Sequence, residues 1–404
     1  MATAASRKSA TRKSARRTIT VIPGDGIGPE IAESMMQVVG ALELPIDFEV
    51  VDAGLEAYER TGELLPPAVH KSIRKNKVAI KGPTTTPVGT GHKSINVQLR
   101  QHYQLYANIR PIKLIPGVPS RYMDLGDSMD MVIFRENTEG LYAGIEHKIV
   151  PGVVETLRII TAKASERIAR TAFEYARLRG RKKVTVGHKA NIMKLTDGLF
   201  LDCARKIAKK FPDIEYEELI VDNCCMQIVV RPAHFDVLVL PNFYGDIISD
   251  LCAGLVGGLG VTPGANIGKD TAIFEAVHGS APDIAGQGKA NPTALILSAA
   301  MMLRHLRLDD EAFVLRKAIA DVISRGDALT VDLGGTASTE EFTKEVIARV
   351  RHRKGRMKKS SAKKTTKKPA KKAAAKKPAA QKKSSAKKSA AKKAPAKKKP
   401  ARQS

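Results

Sequence analysis

Neither end of the chain contains an acidic residue. Residues 1–17 hold six Lys/Arg and residues 351–404 hold twenty-four, with no Asp or Glu in either stretch. The full 404 residues carry 68 Lys+Arg against 41 Asp+Glu, a formal charge of +27. Residues 18–350 keep 38 basic and 41 acidic groups, a net of −3. The middle is therefore a near-neutral body, long enough for two domains and a large core, with two cationic ends. The charge excess describes those ends and not a basic globular surface.

Long apolar runs are also missing. The most apolar region, 236–261, is interrupted by Asp246 and Asp250 and is rich in glycine, which excludes a membrane span there. The N-terminal stretch lacks the apolar run of a secretory leader. It is Arg/Ser-rich and acid-free, as transit peptides are. After Met1 it has no large apolar residue before Ile19 from which to build an amphipathic targeting helix. Cysteine is scarce: Cys203, Cys224, Cys225 and Cys252 form no CxxC pair, and adjacent cysteines do not readily bridge. A reducing compartment follows, with the cytoplasm expected and the mitochondrial matrix as the alternative.

After Met357 the chain is Lys doublets separated by Ala, Pro, Ser and Thr. It has no apolar side chain larger than Ala, so burial cannot offset ordering entropy and disorder is expected over 351–404, as over 1–17. In composition the tail resembles those of linker histones. A cation of this density binds DNA, RNA or polyphosphate non-specifically and with strong salt dependence. With no aromatic to stack on bases it carries no sequence preference. A solubilising extension accounts for it equally well.

Between the ends, strands alternate with helices. ITVIPGDGIGPEI (19–31) reads as strand, glycine turn and a helix opening near Pro29. VAIKGP (78–83), MDMVIFREN (129–137) and KVTVGHKAN (183–191) read as strands ending in polar residues, and FDVLVLPNFYGDIISDL (235–251) as strand, turn and helix. ASERIARTAFEYARLRG (164–180) has helical periodicity. This order predicts an α/β fold with a mainly parallel sheet and functional groups at strand C-termini. GDGIGP (24–29) lacks the third glycine of a dinucleotide fingerprint, and Asp52 lies too far on to be the ribose acid, so the stretch reads as a tight strand-to-helix turn.

Three constellations carry chemistry. Asp246 and Asp250 are four apart on a predicted helix, which puts both carboxylates on one face where they suit Mg²⁺ or Mn²⁺. The bland account is acids favoured by the dipole at a helix start. KSINVQLR (93–100), NIRP (108–111) and FREN (134–137) supply Ser94, Asn96, Arg100, Arg110 and Arg135. Three guanidinium forks imply an anion with several carboxylates; solvated surface charge is the alternative. Tyr142 and Lys189 become acid or base if their pKa values are moved; otherwise they are a packing tyrosine and a surface lysine.

Taken in order, IPGDGIGPE, KGPTTTPVG, SINVQLR, YANIRP, FRENTEGLYAGIEH, HKANIMK, NFYGDIISDL, GGLGVTPGANIG and HGSAPDIAGQGKANP resemble the isocitrate/isopropylmalate dehydrogenase family over about residues 18–350. Within it the pattern is closest to NAD-dependent isocitrate dehydrogenases. The resemblance implies a non-Rossmann fold. A large cofactor-binding domain would take 18–105 and 257–350, and a small domain with substrate and metal site and a dimer clasp would take 106–256. It places metal ligands on Asp246 and Asp250, with Asp222 from the neighbouring subunit, and substrate contacts on Thr86, Ser94, Asn96, Arg100, Arg110 and Arg135. Catalysis falls to Tyr142 and to Lys189, which reaches across the dimer. Cofactor contacts fall on His278, Gly279, Asp283, Ile284, Ala290 and Asn291.

The reaction implied is NAD-dependent oxidative decarboxylation of isocitrate to 2-oxoglutarate and CO₂, the tricarboxylic acid cycle step, by a metal-assisted homodimer. NADP-dependent bacterial relatives carry Lys and Tyr where this chain has Asp283 and Ile284. An acid there accepts a bond from a ribose 2′-OH and repels a 2′-phosphate, which favours NAD. Ser94 and Asn96 can hydrogen-bond a third carboxylate, so isocitrate is preferred over homoisocitrate and isopropylmalate. All of these positions are intact, which argues against a purely regulatory subunit.

Overall fold

The computed structural model describes residues 16–85, 94–122 and 129–365, with side chains through Met357. Thr86 and both low-complexity basic extremes (1–15 and 366–404) therefore lie outside the described residues.

The strands are β1 (Arg17–Ile22), β2 (Ile46–Val50), β3 (Val78–Lys81), β4 (Ala107–Lys113), β5 (Asp130–Glu136), β6 (Gly140–Val150), β7 (Val153–Ile159), β8 (Lys183–His188), β9 (Glu215–Ile220), β10 (Val237–Leu240), β11 (Pro263–Ile267) and β12 (Ala272–Ala276). The helices are α1 (Gly28–Gly40), α2 (Leu55–Thr61), α3 (Pro67–Asn76), α4 (Ile95–His102), α5 (Ala162–Arg179), α6 (Thr196–Ala208), α7 (Val221–Val230), α8 (Asn242–Leu255), α9 (Thr293–His305), α10 (Asp309–Arg325) and α11 (Thr339–Thr365).

Ten strands form one sheet in the order β2-β1-β3-β12-β11-β4-β5-β10-β8-β9. Both ends are parallel as the alternation predicts. The centre is not: β12-β11-β4-β5 pair antiparallel, and the link between β11 and β12 is too short to allow a crossover for that pair.

Why the strands read as unbroken apolar runs is explained by burial on both faces. In β1, Ile19 and Val21 enter one core and Ile22 another; in β3, Val78 and Ile80 oppose Ala79; in β12, Ala272, Phe274 and Ala276 oppose Ile273. The same holds at the other end, where Val132, Phe134, Val237 and Val239 face one core and Met131, Ile133, Leu238 and Leu240 the opposite one. Helices α1, α9 and α10 cover the first face, α5 and α6 the second pair's. The strands predicted for the large domain make up one half of this continuous sheet, and those predicted for the small domain the other half.

Strands β6 and β7 stand apart as a two-stranded antiparallel ribbon. It exposes Ile149, Val150, Val153, Val154 and Leu157, with Val154 at 67%.

One expected boundary moves. Disorder was expected from residue 351, yet α11 continues to Thr365. Val350 is fully buried and Met357 packs on the same core. Arg353 pairs with Asp321 at 2.5 Å and Lys354 with Glu43 at 2.6 Å. These anchors hold the start of the basic segment, and Lys, Arg and Ala favour helix.

Candidate active site

The turn at residues 24–28 needs glycine. Gly24 and Gly26 have φ of +79° and +61°, and a Cβ on Gly24 would lie 1.9 Å from the Pro83 carbonyl oxygen. Between them, Asp25 is buried, and its carboxylate accepts from the Leu55 and Thr85 N–H groups at 2.7 Å each. Asp52, excluded as a ribose acid on spacing, is occupied by Arg60 at 2.6 Å.

Arginines 110 and 135 lie on the adjacent antiparallel strands β4 and β5 and reach toward α8, the helix after β10. Arg135 donates Nε to Asn242 Oδ1 at 2.9 Å and Nη1 to Asp246. Gly245 permits this, since a Cβ there would lie 2.6 Å from the Arg135 Cγ. Arg110 donates Nη1 to Ser249 Oγ at 2.5 Å and to Asp250 Oδ1 at 2.6 Å. Tyr142, near the start of β6, donates its hydroxyl to Asp246 and lies with its ring centre 5.0 Å from the Arg135 guanidinium carbon.

These pairings leave donors over. Arg100 Nε, Arg110 Nε and Arg135 Nη2 are buried without a hydrogen-bond partner, and so is Asn96 Oδ1. Buried orphans of this kind are costly in a site with no ligand. Burial, and then the neighbouring Arg100 charge, lower the Arg135 pKa to about 10. Burial and the bond to Asp246 push the Tyr142 hydroxyl above its ordinary value, so it holds its proton at neutral pH.

The dipole account of the aspartates does not hold. The first turn of α8 contains no acid; Asp246 and Asp250 lie in its second and third turns. They face the arginines and Tyr142, and Asp250 stays 54% exposed, open to an incoming cation. Their hard oxygen donors at helical spacing fit Mg²⁺ or Mn²⁺, but only as part of a ligand set. Among the described residues no three His, Cys, Asp or Glu side chains come together as a metal-holding group. Asp222 sits at the start of α7 and pairs with Lys189 of the same chain. One chain thus brings together Arg100, Arg110, Arg135, Tyr142, Asp246 and Asp250, and leaves Asp222 and Lys189 as a separate exposed pair.

A layer that motif reading missed lies beneath Arg100. Glu275 of β12 pairs with Lys81 of β3 at 3.1 Å and with Arg100 of α4 at 3.2 Å, and accepts from Asn266 at 2.7 Å. Asn266 accepts in turn from Asn108 and Asn137. Burial alone would raise the Glu275 carboxyl; Lys81 and Arg100 outweigh it and hold it near about 2. The partners of Glu275 lie far away in the chain, so no local spacing marks it.

The loop 278–291 sits against the glycine turn: Ile27 donates its N–H to Ser280 at 2.9 Å, and the Ser280 and Thr85 hydroxyls meet at 2.6 Å. Gly279 and Asp283 are exposed, and Ile284 is half-buried against the core. His278 bonds the Gly279 carbonyl through Nδ1 and keeps a buried, unpartnered Nε2. That orphan and the open Asp283 fit a nucleotide laid along the loop. Ala290 and Asn291 form the base instead. Ala290 is fully buried with its N–H on Glu30 and its carbonyl on Thr339, and Asn291 bonds Asp332 at 2.9 Å. Ser94 precedes α4 with its hydroxyl free of any capping bond.

A doubly covered α/β sheet that converges three arginines on two helix-borne carboxylates, beside a tyrosine that keeps its proton, is the architecture of an enzyme acting on a carboxylic acid. The chain belongs to the isocitrate/isopropylmalate dehydrogenase family, whose model matches residues 18–346. It is 56% identical over 330 residues to the mitochondrial catalytic subunit 5 of NAD isocitrate dehydrogenase of Arabidopsis thaliana, covering 81% of this chain and 87% of that protein. It is also 56% identical over 308 residues to the chloroplastic 3-isopropylmalate dehydrogenase of Solanum tuberosum, covering 76% and 85%. The crystal structure of isocitrate dehydrogenase from Methylococcus capsulatus superposes with a TM-score of 0.79 at 51% identity, covering 83% of this chain and 99% of that one. The two named plant proteins are organellar, so the cytoplasmic expectation drawn from cysteine use gains no support from them. All four cysteines are free.

Proposed function

We propose that this chain catalyses the NAD-dependent oxidative decarboxylation of isocitrate to 2-oxoglutarate and CO₂. The observation that carries the reading is the set of buried donors without protein partners on Arg100, Arg110 and Arg135, two of which pair with Asp250 and Asp246. Three cationic forks exceed what an acid with two carboxylates needs. Ser94 and Asn96, at the start of α4 with Arg100, offer polar rather than apolar contact to a third carboxylate, which favours isocitrate over isopropylmalate. Thr86 joins this set by the family pattern.

When bound, NAD supplies the hydride acceptor, and a divalent cation on Asp246, Asp250 and Asp222 of a second copy supplies acidity at the C2 hydroxyl and holds charge on the adjacent oxygen. The chain's own groups do the rest. The arginines clamp the carboxylates and fix C2 toward the cofactor loop. Lys189 of the second copy receives the C2 hydroxyl proton. After CO₂ leaves, Tyr142, held protonated by burial, gives its proton to the carbanionic carbon. Asp283 meets the ribose 2′-OH and disfavours NADP.

The pairing of two chains is supported by the apolar β6–β7 ribbon. A two-stranded sheet is marginal alone, and six exposed large apolar residues on this one, Ile159 among them, call for a cover. We assign it to contact with a second copy, and read the two halves of the main sheet as the cofactor and substrate lobes. With organellar relatives, the mitochondrial matrix is favoured as the compartment. A second reading, favoured by the segregation of charge to the ends, is that the basic tail also holds polyanions without altering the chemistry. DNA retention of the full chain across a salt series, against a chain ending at 365 that keeps all of α11, tests it; equal retention discards it.

The test of the main reading is a rate matrix: NAD and NADP against isocitrate, homoisocitrate and isopropylmalate, with and without Mg²⁺. The reading requires the highest kcat/KM for isocitrate with NAD and loss of rate without the cation. A preference for isopropylmalate overturns it.

A further inference from the structure

Lys189 directly follows β8, and its backbone is held from both sides. Its N–H donates to Asp197 Oδ2 at 2.6 Å. Its carbonyl accepts from the Ile192 and Met193 N–H groups at 3.0 and 2.9 Å. The side chain takes no part in this network and pairs instead with the exposed Asp222. Asp197 lies in the first turn of α6 and is fully buried. The helix dipole favours an acid at that place, but an exposed acid would satisfy it equally.

A carboxylate so buried needs a counter-charge. Arg158 of β7 supplies it, donating Nη1 to Asp197 Oδ1 and to the Thr196 hydroxyl, the latter at 3.3 Å. Side chains alternate along β7: Leu157 and Ile159 stand exposed, and Arg158 between them turns to the opposite face. There its guanidinium carbon lies 5.1 Å from the centre of the Tyr244 ring, two residues before Asp246 on α8. One ion pair thus joins the β6–β7 ribbon, the start of α6 and the helix of the aspartates. The second oxygen of its carboxylate takes the Lys189 N–H.

We propose that Asp197 and Arg158 are positioning residues for Lys189, fixing the backbone from which that lysine reaches the proton of the substrate hydroxyl. The inference rests on the reading of Lys189 as the proton acceptor in the site of a second copy. A lysine side chain is a flexible four-carbon stem, so its reach is defined only if its backbone is fixed. A charged acceptor holds an N–H about twice as strongly as a neutral one, and the Arg158 charge keeps Asp197 ionised. A displacement of about 1 Å at a reacting group costs up to about 100-fold in rate. The strand that turns Leu157 and Ile159 toward a second copy therefore also sets the lysine that serves that copy.

The experiment is a double-mutant cycle on the intact chain, with Lys189→Ala as one arm and Arg158→Met/Asp197→Asn as the other. Rates are measured with isocitrate, NAD and Mg²⁺, alongside isocitrate affinity by calorimetry and the melting point. Removing both charges together leaves no unpaired charge buried, so the fold should hold. Expected are a kcat at least about tenfold lower, with both KM values and the isocitrate affinity unchanged. On the Lys189→Ala background the same substitutions should cause no further loss, because there is no lysine left to aim. Arg158→Lys keeps the counter-charge and secures the test against misfolding; it should lose part of the rate, again only where Lys189 is present. Parent-like kcat in both variants, or an equal fold loss with and without Lys189, would overturn the proposal alone, the latter marking a merely structural pair. A Lys189→Ala chain with the parent's kcat would overturn the reading of Lys189, and the proposal with it.

Discussion

Replacing Glu275 by Gln keeps the side chain's shape and removes one charge from a buried triad. Lys81 and Arg100 flank it with side-chain exposures of only 3% and 12%, so solvent cannot replace the missing carboxylate. Breaking a buried pair by removing one partner costs about 3–5 kcal/mol. Lys81 and Arg100 hold the Glu275 carboxyl well below its ordinary value despite full burial, so the fold stabilises the ionised form, in the same direction. The melting point of Glu275→Gln should fall by roughly 5–10 °C at pH 7.

The sign with pH is fixed. A depressed folded pKa stabilises above the unfolded value and is lost as pH falls through the folded one. The gap between parent and variant should be constant from pH 7 to about 5 and close between about 4.5 and 2. The second readout is the KM for isocitrate, expected to rise about tenfold as Arg100 loses its anchor, with the KM for NAD unchanged. A variant that melts within a degree of the parent at pH 7, or a gap that does not narrow in acid, would refute the reasoning.

Three further outcomes follow. Gly54→Ala places a Cβ 2.2 Å from Asp25 Oδ1 at a φ of +116°, so chemical unfolding should show a loss of about 2 kcal/mol or more; a neutral result would mean Asp25 is free to move. Asp283→Lys with Ile284→Tyr should raise the NADP-to-NAD ratio of kcat/KM at least about tenfold, and an unchanged ratio would count against the reading of the loop. Tyr142→Phe should lower kcat by about 100-fold with little change in the isocitrate KM; a rise in KM alone would make Tyr142 a binding group and not a proton donor.

The sequence made the parallel ends of the sheet legible because apolar strands buried on both faces, such as 237–240, look unlike anything else. The arginines and the Asp246/Asp250 pair were legible because their chemistry is local: helical spacing, or polar residues at strand ends. The antiparallel centre was not, since β4 and β11 meet across more than 150 residues and pairing direction leaves no mark on composition. Asp25, Glu275, Glu30 and Asp332 were missed for the same reason; each acts through partners distant in the chain. The dipole alternative for Asp246 failed on a detail that sequence blurs, the residue at which α8 begins. The helical continuation to Thr365 was hidden because Arg353 and Lys354 look like tail, and only the fold brings Asp321 and Glu43 to them.

The account rests on guanidinium groups clasping a tricarboxylate beside the aspartates. Its most direct test is the affinity of isocitrate, measured by calorimetry with Mg²⁺ present, in the parent and in Arg135→Lys, with NAD affinity as the control. The account predicts a loss of about 10- to 100-fold for isocitrate and none for NAD, because the fork to Asp246 and its unpartnered Nη2 are lost while the charge is kept. Unchanged isocitrate affinity, or an equal loss for both ligands, would contradict it.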